Sequence, residues 1–386
     1  MIAADFTLEE KFLCHAIRHK DALDSASLRE LFKTIGEKNA YFLCKQHDIA
    51  SICADNLARC GIPTNSVWTD EKRLVQSTLS EYMCELDSIA NTFKANNIEL
   101  IALKNSGIAR GIYPFLASCP MGDLDVLVEK GKFVEAHNLL LTRGFEFKFR
   151  SKLEANELKS AFCNGGSEYR KSLASGKILW LELQWRPISG RWIQPDQEPN
   201  GKDLIDRSIS IPGTTVRLLC AEDNLLQVCL HTAKHTYVRS PGFRLHTDVD
   251  RIVRETKIDW ASFLAEVSRL RVRTATYFSL LLSKELLKTP IPDKILKDLE
   301  PASWKRRLLT RWLIQTGLFF PEEKKWSNLG YILFVSLLYD DFKDFWRGCF
   351  PPSQYLKHKK DGRTSTFIVY LYVKRLWNII FKRTLN

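Results

Sequence analysis

The sequence predicts an α+β protein, with a small mixed β-sheet core flanked by N-terminal and C-terminal helical regions. Three observations carry this. Residues 6–96 set apolar side chains such as Leu8, Phe12 and Ala16, and then Leu31, Phe32 and Ile35, at helical intervals. Residues 97–190 alternate short extended runs with helical ones, and beyond Asp223 the helical period returns. The chain accordingly divides into a helical N-terminal module over 1–96, an α/β core over 97–190, and a helical C-terminal region over 191–386 that ends in a basic aromatic tail.

Taken in order, the N-terminal helices are expected to break at Gly61-Ile62-Pro63 and again at Thr69-Asp70. A strand over 97–103 runs into the small polar turn Lys104-Asn105-Ser106-Gly107, followed by a helix over 108–115. Residues 122–128, Gly-Asp-Leu-Asp-Val-Leu-Val, read as a buried strand. Residues 132–142 look helical, 145–150 extended, and 178–185 extended with Glu182 and Gln184 on one face. Asn164-Gly165-Gly166-Ser167 reads as a mobile loop. Helices follow over 223–235, 246–255, 260–270 and 274–287; Pro290, Pro292 and Pro301 then punctuate the chain before an aromatic-rich helical region from Trp304.

The chemistry concentrates at Asp123 and Asp125. Side chains alternate along a strand, so the two carboxylates share a face at roughly 7 Å while Leu124 and Val126 face packing. Two like charges in an apolar strand call for a cation, and Mg²⁺ (or Mn²⁺) carrying a triphosphate suits such a pair, because phosphate and water oxygens complete its octahedron. The preceding strand, turn and helix form a phosphate cradle, in which Ser106 offers a hydroxyl and Gly107 permits close approach. Lys104 either touches phosphate or is a solvated strand-end group.

These parts, in this order, resemble the polymerase-beta-like nucleotidyltransferases. More narrowly, Leu103-Lys104-Asn105-Ser106-Gly107, Ile112-Tyr113-Pro114 and the run from Cys119-Pro120-Met121 through Val128 are similar to an uncharacterised nucleotidyltransferase family with a Leu-Lys-Gly turn, a Tyr-Pro and an Arg-Pro-Met-Ser-Asp-Ile-Asp-Leu-Leu-Val strand. Leu181-Glu182-Leu183-Gln184-Trp185 sits where that family has an acid followed by His and Trp, and His231, His235 and Asp248 match its later helix. The likeness covers about residues 90–260. Asn105 replaces the family's Gly, Cys119 its Arg and Gln184 its His; the first tolerates left-handed backbone, the second loses a phosphate-binding fork, and the third loses a titratable group.

The resemblance implies a polymerase-beta-like core. It implies that Asp123, Asp125 and Glu182 hold the metal and act catalytically, with Lys104, Asn105, Ser106 and Gly107 on the nucleotide. It further implies an NTP such as ATP as donor and a hydroxyl of a small molecule or protein as acceptor. Gln184, His231, His235 and Asp248 fall in a substrate-facing or supporting position. His231 and His235, one helical turn apart, also have the spacing of zinc ligands, with Asp248 or Asp250 as a third, or of ordinary packing residues. The alternative function is a catalytically degenerate nucleotide-binding or membrane-surface adaptor.

Composition fills in the setting. The 386 residues suffice for two or three domains with apolar cores. Ten cysteines include no Cys-x-x-Cys pair, which favours a reducing compartment over a zinc ribbon, and Cys119 reads as a buried, inert thiol. No signal peptide is indicated, and the longest apolar window, 329–338, ends at Asp340 and Asp341, so a cytoplasmic protein is expected. The last thirty residues carry +7 of the formal +12, so the body is near neutral, which argues against a nucleic-acid channel. The tail from 366 spaces aromatic and basic residues at near-helical intervals; it suits an anionic membrane or other polyanion, which would make the protein peripheral there, or it closes the domain as an amphipathic helix.

Overall fold

A computed structural model of the chain describes residues 6–150, 157–187, 193, 195–236, 242–316, 318–319, 328–350, 370, 372–373 and 377. The basic aromatic tail therefore lies almost wholly outside the described residues.

Capping side chains set where the N-terminal helices begin. Thr7 and Glu10 form a reciprocal capping box on Leu8–Ala16, and Asp24 accepts from the Ser27 N–H at 3.0 Å to start Ser25–Ile35. Glu37–Gln46 and Ala50–Arg59 follow. The chain then turns at Gly61, whose φ of +59° suits glycine. Asn65 caps the next helix, Ser66–Ala95, which runs through Thr69-Asp70 without a break. That expected break is corrected by the cap upstream: with Asn65 satisfying the Val67 N–H at 3.1 Å and Trp68 buried, Asp70 is simply an exposed acid beyond the first turn.

Among the described residues, seven strands form one mixed sheet in the order β3-β4-β5-β2-β1-β7-β6. They are β1 (Ile101–Leu103), β2 (Asp123–Leu127), β3 (Glu146–Phe147), β4 (Gly166–Ser172), β5 (Ile178–Gln184), β6 (Ile209–Ser210) and β7 (Arg217–Leu218). β2 runs antiparallel to β1 and parallel to β5. The sheet is thus mixed, as expected, but three of its strands were not, and two of those lie past residue 190. The supposed mobile loop at Asn164–Ser167 is the start of β4: Gly165, at φ +95°, ends the helix Leu158–Asn164, and its carbonyl accepts from the N–H groups of Trp185 and Arg186 at 3.0 and 3.1 Å.

Alternation sorts the faces. Leu124 and Val126 of β2 and Leu179, Leu181 and Leu183 of β5 are fully buried, in one apolar cluster with Phe12 and Phe93 from the N-terminal helices and Phe278 from the C-terminal ones. The opposite face carries Asp123, Asp125 and Glu182, and its buried end is filled by Ile101, Leu103, Leu127, Leu204 and Leu219. Helices at Ala221–Thr236, His246–Glu255, Trp260–Leu270 and Arg273–Leu287 form much of the remainder, close to the expected bounds. None of the described helices is long and apolar enough to cross a membrane.

The junction after β1 departs from expectation. The helix begins at Lys104 rather than 108, covers only Lys104–Gly107, and passes into a wide turn over Ile108–Ile112 that Pro114 terminates. Gly107 is packed against the strand it has just left: a Cβ there would stand 2.7 Å from the Ala102 carbonyl oxygen. Gly107→Ala must push backbone from backbone, and we expect it to lower stability by about 1–3 kcal/mol in denaturant titration. The control Gly131→Ala, at an open position, should not.

Candidate active site

Asp125 is the centre of the site. In the parallel pairing of β2 with β5 it lies opposite Glu182, while on its other side it lies opposite Leu103, the last residue of β1. The pairing therefore brings two acids from separate strands together with the turn that follows β1. That turn is clamped to the acidic strand, because the Asp125 N–H donates to Ser106 Oγ at 2.9 Å.

Lys104 closes the turn over the acids. Its φ is +49°, a left-handed value seldom adopted by a side chain of this type, and its N–H reaches Gln227 Oε1 at 3.4 Å. Its ammonium donates to Asp125 Oδ1 at 2.6 Å and to Glu182 Oε2 at 3.4 Å. Burial opposes the lysine charge, but Asp125 and Glu182 outweigh it and raise the Lys104 pKa. Burial pushes the Asp125 carboxyl upward, Lys104 pulls it back, and the carboxylates of Asp123 and Glu182 push it up again, for a net upward shift.

Asp123 has a different cation. It pairs with the Arg150 guanidinium, which lies 5.0 Å from the Trp180 ring and whose backbone N–H donates to Glu168 Oε2 at 2.7 Å. Glu168 is opposite Glu182 in the pairing of β4 with β5, so a fourth acid borders the site; burial raises its pKa despite the Arg150 contacts. Gln184, where the family has His, donates from Nε2 to Asp125 Oδ1 at 3.3 Å. Its Oε1 is buried and accepts from no donor among the described residues.

The remaining predicted residues support the turn from below. The Asn105 amide, oriented to satisfy both neighbours, donates to Asp248 Oδ1 at 2.7 Å and accepts from Arg244 Nη1 at 3.0 Å. Arg244 also bonds the Pro120 carbonyl, and Arg251 the Ser118 carbonyl, so two guanidiniums flank the loop that carries Cys119. Cys119 is fully buried, and burial lifts its thiol to about 11, in keeping with an inert cysteine. Asn105, Ser106 and Gly107 therefore face protein: the first two hold Asp248 and the acidic strand, and the third packs on β1. Of the four turn residues, only Lys104 brings its polar group to the acids.

His231 and His235 pack against each other with centroids 4.5 Å apart and ring planes tilted by 48°. Of the acids expected to join them as a third zinc ligand, Asp248 is engaged as above and Asp250 bonds Arg254 at 2.9 Å and Thr289 at 2.6 Å. Among the described residues, no three His, Cys, Asp or Glu side chains are arranged ready to hold a metal ion. At the acidic strand, Lys104 pairs with Asp125 and Arg150 with Asp123. The donor set itself fits a hard cation, being three carboxylates with a buried amide oxygen that lacks a donor among the described residues.

Arg150, Glu168, Gln227 and Arg244 were not anticipated. Glu168 was within reach had residues 166–172 been read as a strand, because it shares the phase of Glu182; the other three arrive from distant segments without a local motif.

Asp248 offers a pH test. Burial raises its carboxyl from 3.8 to about 6, with Arg244 and Arg251 pulling the other way. Between those values the folded state keeps a proton that the unfolded state releases, so its contribution to stability falls as pH rises from about 4 to 6. Asp248→Asn keeps an acceptor for Asn105 and removes the titration. In denaturant melts, the stability of wild type relative to the variant should fall by ~3 kcal/mol across that window.

No curated protein and no solved structure matches the chain. One family pattern does match, over residues 34–288, and it spans the turn, the acidic strand, Glu182 and Asp248. On that match, which covers well over half its length, the chain belongs to the uncharacterised nucleotidyltransferase family.

Proposed function

We propose that the protein moves a nucleoside monophosphate from an NTP to a hydroxyl on a small-molecule or protein acceptor, releasing pyrophosphate, on a core of polymerase-beta-like type. The observation that carries this reading is the register that sets Asp125 beside Glu182, two residue pairs along from Asp123, at the end of β1 and its turn. Family membership gives the reaction class; the geometry supports the roles.

Asp123, Asp125 and Glu182 are the residues that would hold Mg²⁺ or Mn²⁺. Bound there, the ion would neutralise triphosphate charge and lower the pKa of a coordinated acceptor oxygen. Glu182 is the more open acid of the facing pair, its side chain 21% exposed against 7% for Asp125, so it is the one able to meet the acceptor. It takes the hydroxyl proton as that oxygen bonds to the α-phosphorus and the bond to pyrophosphate breaks. Lys104 and Arg150 supply positive charge at the edge of the site for the phosphate oxygens. Asn105 and Ser106 position Lys104 by fixing its turn.

A second reading, a nucleotide-binding protein without chemistry, is favoured by one observation: Gln184 stands where a titratable His is expected and leaves no proton acceptor there. Turnover separates the two. Wild-type protein should bind at least one NTP, supplied as its α,β-non-hydrolysable analogue with Mg²⁺, in calorimetry, and Asp123→Asn/Asp125→Asn should abolish that binding. Pyrophosphate release in the presence of a hydroxyl acceptor would then favour the transferase; metal-dependent binding without release under any acceptor tried would favour the second reading. Absence of binding by folded wild type to every NTP would overturn both.

A further inference from the structure

We propose that Lys104 is the site's resident counter-cation, whose ammonium holds Asp125 and Glu182 until a nucleotide's phosphates draw it away and leave those oxygens to a divalent ion. This rests on the nucleotidyltransferase reading and adds to it an order of events: metal and nucleotide enter together or scarcely at all.

Four observations lead there. The ammonium contacts both facing acids, at 2.6 and 3.4 Å, and therefore stands on the oxygens a metal needs. The contact is sheltered, with the lysine side chain only 12% exposed, so water does not screen it as at a surface. The lysine reaches it from left-handed backbone, φ +49°, a conformation that residues other than glycine and asparagine seldom adopt. Finally, the fully buried Gln184 directs its Nε2 to the same Asp125 oxygen while its Oε1 finds no donor among the described residues, which leaves the lysine and the amide sharing one carboxylate oxygen and an acceptor to spare.

Charge sets the consequence. A divalent ion cannot share Asp125 Oδ1 with an ammonium, since like charges at contact distance repel strongly in a sheltered site. Metal alone must therefore displace Lys104 into nothing better than water. A triphosphate changes that balance by giving the ammonium a polyanionic partner within reach of the same turn. Linkage then requires that nucleotide tighten metal and metal tighten nucleotide by the same factor.

The test is Mn²⁺ binding followed by electron paramagnetic resonance, with and without α,β-non-hydrolysable NTP analogues, for wild type, Lys104→Gln and Lys104→Arg. Wild type should bind Mn²⁺ about tenfold or more tightly with the analogue than without it. Lys104→Gln, freed of the ammonium, should bind Mn²⁺ alone about tenfold or more tightly than wild type and gain little from nucleotide. Lys104→Arg should stay weak on its own. Equal Mn²⁺ affinity in wild type and Lys104→Gln overturns the proposal, as does an absence of Mn²⁺ binding in both. Tight Mn²⁺ binding by Lys104→Gln in a protein whose wild type binds no nucleotide upholds the counter-cation and overturns the transferase reading instead.

A measurement on unaltered protein guards against a variant that misfolds. Lysine acylation read by mass spectrometry should find Lys104 protected in metal-free wild type and labelled at saturating Mn²⁺ without nucleotide. Protection that persists while Mn²⁺ broadens nuclear resonances of the β2 residues overturns the proposal.

Discussion

Two carboxylates held side by side in a sheltered sheet are the constraint around which the rest of the site is arranged. The parallel pairing of β2 with β5 leaves Asp125 and Glu182 no distance to retreat, and the sheet is anchored by an apolar face that is fully buried behind them. A slip of one residue would turn Leu124 and Leu181 toward the site and bury the acids in the core, so the register is fixed by the same hydrophobic alternation that creates the repulsion. What relieves the repulsion is cationic: Lys104 contacts both acids, and Arg150 pairs with the neighbouring Asp123. Everything else described here either positions those cations or fastens their segments, from Ser106 on the Asp125 N–H to Asp248 and Arg244 beneath Asn105.

This arrangement gives a physical meaning to the three places where the chain departs from its family's motif. Asn105 stands where glycine is usual, and its amide reaches Asp248 and Arg244, contacts glycine lacks. Cys119 replaces an arginine, and the surrounding loop is bonded instead by Arg244 and Arg251 from the helical region that follows β7. Gln184 replaces a histidine and keeps a hydrogen bond to Asp125 while giving up titration. The first two departures leave the turn and loop held; only the third removes a group capable of proton transfer, which is why Glu182 carries that duty in the proposed reaction.

Much of this was legible in the sequence, where the signal was local and periodic. Asp123 and Asp125 between Leu124 and Val126 declared a strand with one acidic face, alternation over 178–185 put Glu182 and Gln184 on one face, and the family resemblance set Glu182 with the aspartates. Helices from 246 to 287 fell close to their periodic bounds. What escaped was long-range or too short to show a period. β6 and β7 are two residues each, and β4 reads as polar because only Ser167 and Tyr169 face the core. The left-handed residue is Lys104 itself, neither glycine nor asparagine, so nothing at that position announces it and the helix was expected four residues late. Arg150 and Arg244 reach the site from segments whose proximity is decided by the fold alone.

The most direct test of the central claim is a crystal structure of the protein with Mn²⁺ and an α,β-non-hydrolysable NTP analogue, with the metal located by its anomalous signal. The account predicts an anomalous peak bonded to oxygens of Asp125 and of Asp123 or Glu182, with the Lys104 ammonium moved from Asp125 onto a phosphate. An ordered nucleotide whose metal lies away from these acids, with Lys104 still on Asp125, would contradict it.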